Sequence, residues 1–258
     1  MTPHKLSFAD AFQVSVSDLR LITIPISHYC EKARWALELA GLPYREERHL
    51  QAIHWVHVRR AGGGWTAPVL VTPKGALRES AQIVRFADAR AGLGLYRNPL
   101  AAALEARFDG RLGPDARLWM YHRTLDSPGL IREYGIPGVP RWERALLPAA
   151  FPLVRRLIAR RLGVDDARAA AARDHVRALF DEVAARLGDG RRYLCGDAFS
   201  AADLAFAALA AAVTVPPRYG IPLPQPDALP EPFATEVRTM REHPAGRFAL
   251  RLYDQERP

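Results

Sequence analysis

The sequence predicts a small α/β domain followed by an all-helical domain. Residues 19–92 alternate strand-like and helix-like segments, whereas residues 100–258 show only helical patterns separated by proline- and glycine-rich breaks. A length of 258 residues accommodates one large domain or two small ones, and 49% apolar with 25% charged residues is typical of soluble globular proteins. We therefore expect two domains joined by a linker at 93–99, where Gly, Asn and Pro accumulate.

The first domain follows residues 1–18, which show no clear period and are interpreted as an N-terminal extension. Its predicted elements are, in chain order, a strand at 19–26, a helix at 29–40, a strand at 44–50, a short helical or irregular stretch at 51–60, a hairpin at 68–78 and a helix at 80–91. A βαβ unit followed by a ββα unit is the thioredoxin-like arrangement of a small sheet flanked by helices.

The second domain, residues 100–258, is predicted to be helical throughout. Its helices are expected near 100–112, 115–125, 142–162, 165–187 and 201–213, with a last short one near 232–242. Residues 216–232 contain seven prolines, which exclude a regular helix there and favour an extended loop.

Composition and charge argue against membrane-spanning, disulfide-rich and nucleic-acid-binding proteins. No apolar run approaches the roughly 20 residues of a membrane-spanning helix, and the N-terminus lacks a signal-peptide pattern, so we expect a cytoplasmic protein. Two cysteines, Cys30 and Cys195, predict reduced thiols and no disulfide framework. The net charge of +8 comes from arginines interleaved with acidic residues, which favours a solvated surface over a nucleic-acid site.

Ser27 lies where the first strand ends and the first helix begins. Helix amides and the helix dipole stabilise negative charge at such a position, and a hydroxyl donor there can lower the pKa of a nearby thiol. The alternative is that Ser27 serves only as an N-cap.

Cys30 takes the last place of a C-x-x-C pattern whose first cysteine is replaced by Ser27, so an internal dithiol–disulfide cycle is not possible. A reactive thiol at Cys30 stays an alternative to a buried structural one.

A second candidate site lies at the end of the hairpin, where Glu79-Ser80 precedes a helix. Helix amides and a serine hydroxyl can hold a carboxylate there, while the glutamate can meet an ammonium group. As an alternative, Ser80 is an ordinary N-cap and Glu79 a first-turn acid.

Three segments carry a family resemblance. Residues 27–37 (SHYCEKARWAL) resemble the first-helix motif of cytosolic glutathione S-transferases of the serine type, with His28 where many members carry proline. Residues 67–70 (APVL) resemble the loop-then-strand element of that family, and residues 193–204 resemble the capping motif of its helical domain. The chain is therefore identified as similar to the bacterial members of this family, without assignment to a class.

The resemblance implies the glutathione transferase fold and a site for glutathione as co-substrate. Ser27 would donate a hydrogen bond to the glutathione sulfur, Ala67 would pair through its backbone with the cysteinyl part next to a cis Pro68, and Glu79 and Ser80 would hold the γ-glutamyl end. The family also implies a homodimer, a small and apolar electrophile as second substrate, a role in detoxification and no metal. Aromatic and amphipathic side chains commonly line such pockets, and the candidates are His28, Trp119, Tyr121 and His122.

Two alternative functions remain open at this stage. One is a non-catalytic interaction protein similar to stringent starvation protein A, and the other is a glutathione-dependent peroxidase or thiol reductase that uses Cys30. Two residue patterns are interpreted as surface features. His49, His54 and His57 have no cysteine or acidic cluster to complete a metal site and are expected to be surface histidines. The arginines of 155–161 are assigned to an ordinary amphipathic helix rather than to a membrane surface or an acidic partner.

Overall fold

A computed structural model of the chain describes residues 19–258, so the predicted extension at 1–18 lies outside the described residues. The strands are β1 (Arg20–Thr23), β2 (Arg45–Arg48), β3 (Val69–Thr72) and β4 (Gly75–Leu77). They form one sheet in the order β2-β1-β3-β4, in which β1 pairs parallel with β2 and antiparallel with β3, and β3 pairs antiparallel with β4. This mixed sheet confirms the predicted thioredoxin-like arrangement.

Three helices belong to the sheet domain: α1 (His28–Leu39), α2 (His54–Arg60) and α3 (Ser80–Ala91). Helix α1 is the crossover between the parallel strands, and its buried face packs against α3 and against the helical domain. Helix α3 ends at Gly92, whose φ of 64° places it in the left-handed region that favours glycine. The sheet domain therefore shares one core with the helices that follow.

The helical part begins at residue 99, and no strand follows β4 within the described chain. Its helices are α4 (Pro99–Arg107), α5 (Gly113–Thr124), α6 (Pro128–Tyr134), α7 (Arg141–Leu162), α8 (Asp166–Leu187), α9 (Ala201–Thr214), α10 (Phe233–Glu242) and α11 (Pro244–Gln255). A π-helical turn, Phe108–Leu112, joins α4 to α5 without a break. None of the helices in residues 19–258 is long and apolar enough to cross a membrane.

Helix α9 is the centre of the helical domain, because all of its residues are buried. Eight of its 14 residues are alanine, which lets α1, α4, α5 and α11 approach its backbone closely. The predicted capping box is present: Asp203 accepts a hydrogen bond from the Ser200 amide at 2.9 Å, and its other oxygen accepts one from the Leu194 amide at 2.8 Å.

Helices α6 and α7 both contribute side chains to an apolar cluster around Leu50, just after β2. Leu147 of α7 packs against Leu50, which follows β2. The carboxylate of Glu143 is fully buried and accepts a hydrogen bond from the Leu50 amide at 2.8 Å, while its second oxygen lies 2.6 Å from His49 Nδ1. These contacts fasten α7 to the sheet domain.

Candidate functional site

A cleft lies where the start of α1 meets α5 and α7. Its floor and walls come from both parts of the chain: Ile24, Ile26, Ser27, His28, Tyr29, Gln51, Trp55, Trp65, Thr66, Ala67, Arg117, Met120, Tyr121, Leu157, Ile158 and Arg161. A second pocket adjoins it and shares Tyr29, Thr66, Ala67 and Arg117. That pocket continues to Pro68, Glu79, Ser80 and Asp109. The cleft therefore has a mostly apolar half and a polar half on either side of Tyr29 and Arg117.

Ser27 lies at the N-terminus of α1 and is half-buried in the cleft wall. Its Oγ accepts a hydrogen bond from the Cys30 amide at 3.4 Å, so Ser27 is an N-cap. Accepting that bond leaves the hydroxyl proton as a donor. The two interpretations of Ser27 are therefore compatible, because one oxygen caps the helix while its proton remains available to a ligand anion.

Cys30 is fully buried and does not line the cleft. Its sulfur accepts a hydrogen bond from the Ile24 amide at 3.4 Å. Burial raises the pKa of the Cys30 thiol, although the Arg34 charge and the Ser27 hydroxyl act in the opposite direction. Both features are typical of a structural thiol rather than a reactive one.

Tyr29 separates the two halves of the cleft. Its hydroxyl donates to the Asp109 carbonyl at 2.7 Å, and burial raises its pKa well above the usual value. Gly113 packs against the ring, since a Cβ at that position would lie 2.6 Å from Tyr29 Cζ. The phenol is therefore held as a neutral wall with its proton already donated.

The polar half is built on a cis peptide bond and a helix start. The Ala67–Pro68 bond is cis, and Ala67 lies two residues before Val69, the first paired residue of β3. Ser80 is the first residue of α3 and is buried, whereas Glu79 precedes it with an exposed side chain that makes no capping hydrogen bond. The amides at the start of α3 and the Ser80 hydroxyl can bind a carboxylate, and Glu79 can bind a cation.

Comparison with known proteins places the chain in a family. A model of the N-terminal domain of glutathione S-transferases matches residues 21–95, and one of the C-terminal domain matches residues 165–233. The chain belongs to the glutathione S-transferase superfamily. Helices α6 and α7 fall between the two matched stretches. A search of curated proteins finds no match.

Solved structures of glutathione transferases share the fold. One from Ceriporiopsis subvermispora, in complex with glutathione, has a TM-score of 0.62 at 17% identity, with 94% of this chain and 98% of that chain covered. Glutathione transferase GSTFuA3 from Phanerochaete chrysosporium has a TM-score of 0.63 at 14% identity, with the same coverage of 94% and 98%. A theta class transferase from Xanthomonas axonopodis pv. citri, with glutathione bound, has a TM-score of 0.51 at 21% identity over 90% of this chain and 97% of that one.

The residues predicted for the electrophile pocket divide into two pairs. The structure places His28 and Tyr121 in the cleft lining. Trp119 and His122 lie outside it: the Trp119 indole donates to Glu236 at 2.7 Å, and His122 Nε2 lies 2.8 Å from Asp166 Oδ1. The reason is helical geometry. Successive residues turn by about 100°, so the face of α5 that carries Arg117, Met120 and Tyr121 excludes positions 119 and 122.

Several lining residues were missed at the level of sequence. Arg117 borders both halves of the cleft, but it is one of 33 arginines and follows no motif. Trp55, Trp65 and Arg161 come from α2, the loop before β3 and α7. The spacing of Arg117, Met120 and Tyr121 on α5 was the available signal, since i, i+3 and i+4 share one helix face.

His28 gives the protein a predicted pH dependence of stability. Burial, together with the Arg117 charge, lowers the pKa of His28 to about 3. The unfolded chain binds a proton at this residue below about pH 6.5 while the folded chain does not, so the free energy of unfolding falls as pH falls. Between pH 7 and pH 5 we expect His28 to account for about 2 kcal/mol of that loss. Urea unfolding of wild type and His28→Gln at both pH values measures it, and equal losses in the two proteins would contradict it.

The expectation of surface histidines is wrong for His49 and His54, which are buried because α7 packs over this part of the sheet domain. The structure also brings an acid, Glu143, to His49 and His57, which the sequence did not indicate. Donor atoms of His49, His57 and Glu143 lie within 4.8 Å of one another, whereas His54 is not in this group. The two imidazole rings are stacked at 3.5 Å between centroids, so their in-plane nitrogens point side by side rather than at one centre. Tetrahedral zinc needs converging donors at 2.0–2.2 Å from the metal. We therefore interpret the group as part of the contact that fastens α7.

Proposed function

We propose that this protein is a glutathione transferase that conjugates the glutathione thiolate to a small, largely apolar electrophile. The observation that carries the proposal is the position of Ser27, whose hydroxyl lies at the start of α1 in the wall of a cleft that continues to the start of α3. The neighbouring candidates for a sulfur contact are less suitable, because the Tyr29 proton is donated to Asp109 and the Cys30 thiol is buried.

Glutathione fits the polar half of the cleft in one direction. Its γ-glutamyl carboxylate would bind the α3 amides and Ser80, and its ammonium group would meet Glu79. The backbone of Ala67 would pair with the cysteinyl part, which directs the sulfur toward Ser27 across the shared wall at Tyr29. A hydroxyl donor and the dipole of α1 then favour the thiolate over the thiol.

The electrophile would occupy the apolar half. Its walls are the aromatic rings of Trp55, Trp65 and Tyr121 and the side chains of Met120 and Leu157. Leu157 belongs to α7, which lies outside both regions that match the family. The choice of electrophile therefore depends in part on this helix.

Isothermal titration with glutathione tests the proposal. We expect wild type to bind and Ser80→Ala to bind about 10-fold to 100-fold more weakly, because it loses a hydrogen bond to a charged carboxylate. Ser127→Ala is the matched control, since Ser127 precedes α6 without a side-chain capping bond. Absence of binding to wild type, or equal weakening by both substitutions, would overturn the glutathione site.

The alternatives predict different results. An interaction protein of the stringent starvation protein A type would lack glutathione affinity and co-purify with transcription machinery. A peroxidase or thiol reductase would lose hydroperoxide or disulfide turnover in Cys30→Ser and keep it in Ser27→Ala. A homodimer stays a prediction from the family, which light scattering can check.

A further inference from the structure

Helix α7 exposes apolar side chains along one side. Trp142 is 54% exposed, Leu146 52%, Leu153 71% and Leu157 38%. Their spacing of four, seven and four residues places them on one stripe of the helix. The exposed Arg156 and Arg160 lie on the same side, and these six residues are here called the α7 outer face. A solvent-facing helix normally carries polar residues there, so this face has the composition of a binding surface.

The charged side chains that α7 presents to solvent are all positive. The helix contains six arginines, at positions 141, 144, 155, 156, 160 and 161, and a single acid, Glu143. Glu143 is fully buried against His49 and the Leu50 amide, so it does not offset the arginines at the surface. Helix α7 thus contributes +5 from its own residues to a chain of net charge +8.

The apolar surface continues from α7 onto the sheet domain. The Arg161 guanidinium lies 5.4 Å from the Trp55 ring, Trp55 contacts Trp65 edge to face at 6.1 Å, and Arg59 lies 4.2 Å from the Trp65 ring. Trp65 and the neighbouring Val56 are about half exposed. Tryptophan and arginine together are typical of surfaces that sit at a lipid–water interface.

An ordinary amphipathic helix would bury its leucines, whereas Leu153 and Leu157 are exposed beside the arginines, which reverses the sequence-based assignment of this helix. We propose that the α7 outer face docks this protein on an anionic lipid bilayer. Leucine and tryptophan side chains enter the headgroup region, and the arginines bind lipid phosphates. A second copy of the chain fits this face less well, because a symmetric contact would bring the same arginines together without an exposed acid of α7 between them. Trp55, Trp65 and Leu157 also form the rim of the cleft, so docking turns its mouth toward the bilayer.

Vesicle co-sedimentation of the full chain tests the docking. We expect binding to phosphatidylcholine vesicles that contain phosphatidylglycerol, weak binding to phosphatidylcholine alone, and loss of binding as salt is raised. Arg156→Gln/Arg160→Gln should reduce partitioning to the anionic vesicles about 30-fold, since two surface charges are lost. Trp142→Ser/Leu153→Ser should abolish binding to them, and circular dichroism verifies that each variant is folded.

Two control variants test whether vesicle binding depends on the α7 outer face itself or only on the number of exposed arginines and leucines. Arg168→Gln/Arg177→Gln removes two exposed charges from α8, and Leu100→Ser removes an exposed leucine from α4; both should bind vesicles like wild type. The proposal is overturned if wild type does not bind anionic vesicles, or if the controls lose as much binding as the α7 variants. It is also overturned if wild type is a dimer and Trp142→Ser/Leu153→Ser dissociates it, because the face would then be a contact between two copies of the chain. Glutathione titration should be the same for all of these variants, because none of the residues touches the polar half of the cleft.

Discussion

Ser27→Gly should lower kcat/KM for conjugation about 100-fold while leaving the Kd for glutathione within about threefold. The expected loss reflects removal of the hydroxyl that we propose stabilises the thiolate, whereas the proposed γ-glutamyl contacts at α3 are unchanged. Glycine is the suitable replacement because replacing an N-cap serine by glycine lowers stability by only a few tenths of a kcal/mol, whereas replacing it by alanine lowers stability by about 1 kcal/mol. Steady-state kinetics with a panel of aryl halides, epoxides and unsaturated carbonyl compounds measures the effect.

Two further variants control this experiment. Ser27→Thr keeps both the cap and a hydroxyl, so it should retain most of the activity. Cys30→Ala removes a buried thiol that does not line the cleft, and its kcat/KM should stay within about threefold of wild type. If Cys30→Ala inactivates the enzyme and Ser27→Gly does not, the sulfur chemistry belongs to Cys30 instead.

Lys32→Met should lower the free energy of unfolding by about 3–5 kcal/mol. Lys32 is one of only three lysines in the sequence and is fully buried on α1, with its Nζ 2.9 Å from Glu105 and 2.7 Å from Asp109. Both carboxylates come from the segment that runs from α4 into α5, so the ammonium group joins the two domains. Removing it takes the cation from the largely buried Asp109 and leaves Glu105 only the longer contact with Arg85 at 3.8 Å, and chemical denaturation measures the resulting loss of stability.

The pH dependence of this variant gives a second measurement. Burial already raises the pKa of Asp109 while Lys32 lowers it, so the loss of Lys32 should raise that pKa further. A carboxylate with a raised folded-state pKa is less destabilising once it is protonated, so the difference from wild type should shrink as pH falls toward about 4. Lys74→Met, in the exposed turn between β3 and β4, is the control and should change stability by less than about 0.5 kcal/mol. Equal effects at positions 32 and 74 would contradict the account of the buried ion pairs.

Local patterns predicted most of the fold. The apolar runs around β1 and β3, the helices predicted at 29–40 and 80–91 and the capping motif before α9 each depend on a few neighbouring residues, and the structure contains these elements. Helix α11 was missed although Ala245, Phe248, Ala249 and Leu252 follow helical spacing; it begins at Pro244, a residue type that is common in the first turn of a helix. Helix α6 begins with Pro128-Gly129, which hides a helical period of only seven residues.

The site was less predictable than the fold because its members come from distant segments. Motifs singled out Ser27, Ala67 and Ser80, which line the cleft or the adjoining pocket, yet the motifs do not say which face of α5 meets them. Arg117 therefore went unnoticed, and Trp119 and His122 were proposed in its place. Likewise, Glu143 lies 94 residues from His49, and only the packing of α7 on the sheet domain brings the two side chains together.

The most direct test of the account is the thiol pKa of glutathione bound to the protein, followed by the ultraviolet absorbance of the thiolate as pH is varied. With wild type we expect the pKa to fall at least one unit below the ordinary thiol value of about 8.5, and with Ser27→Gly to return toward it. A bound thiol whose pKa is the same in both proteins, or a wild type that does not bind glutathione, would contradict the proposed role of Ser27.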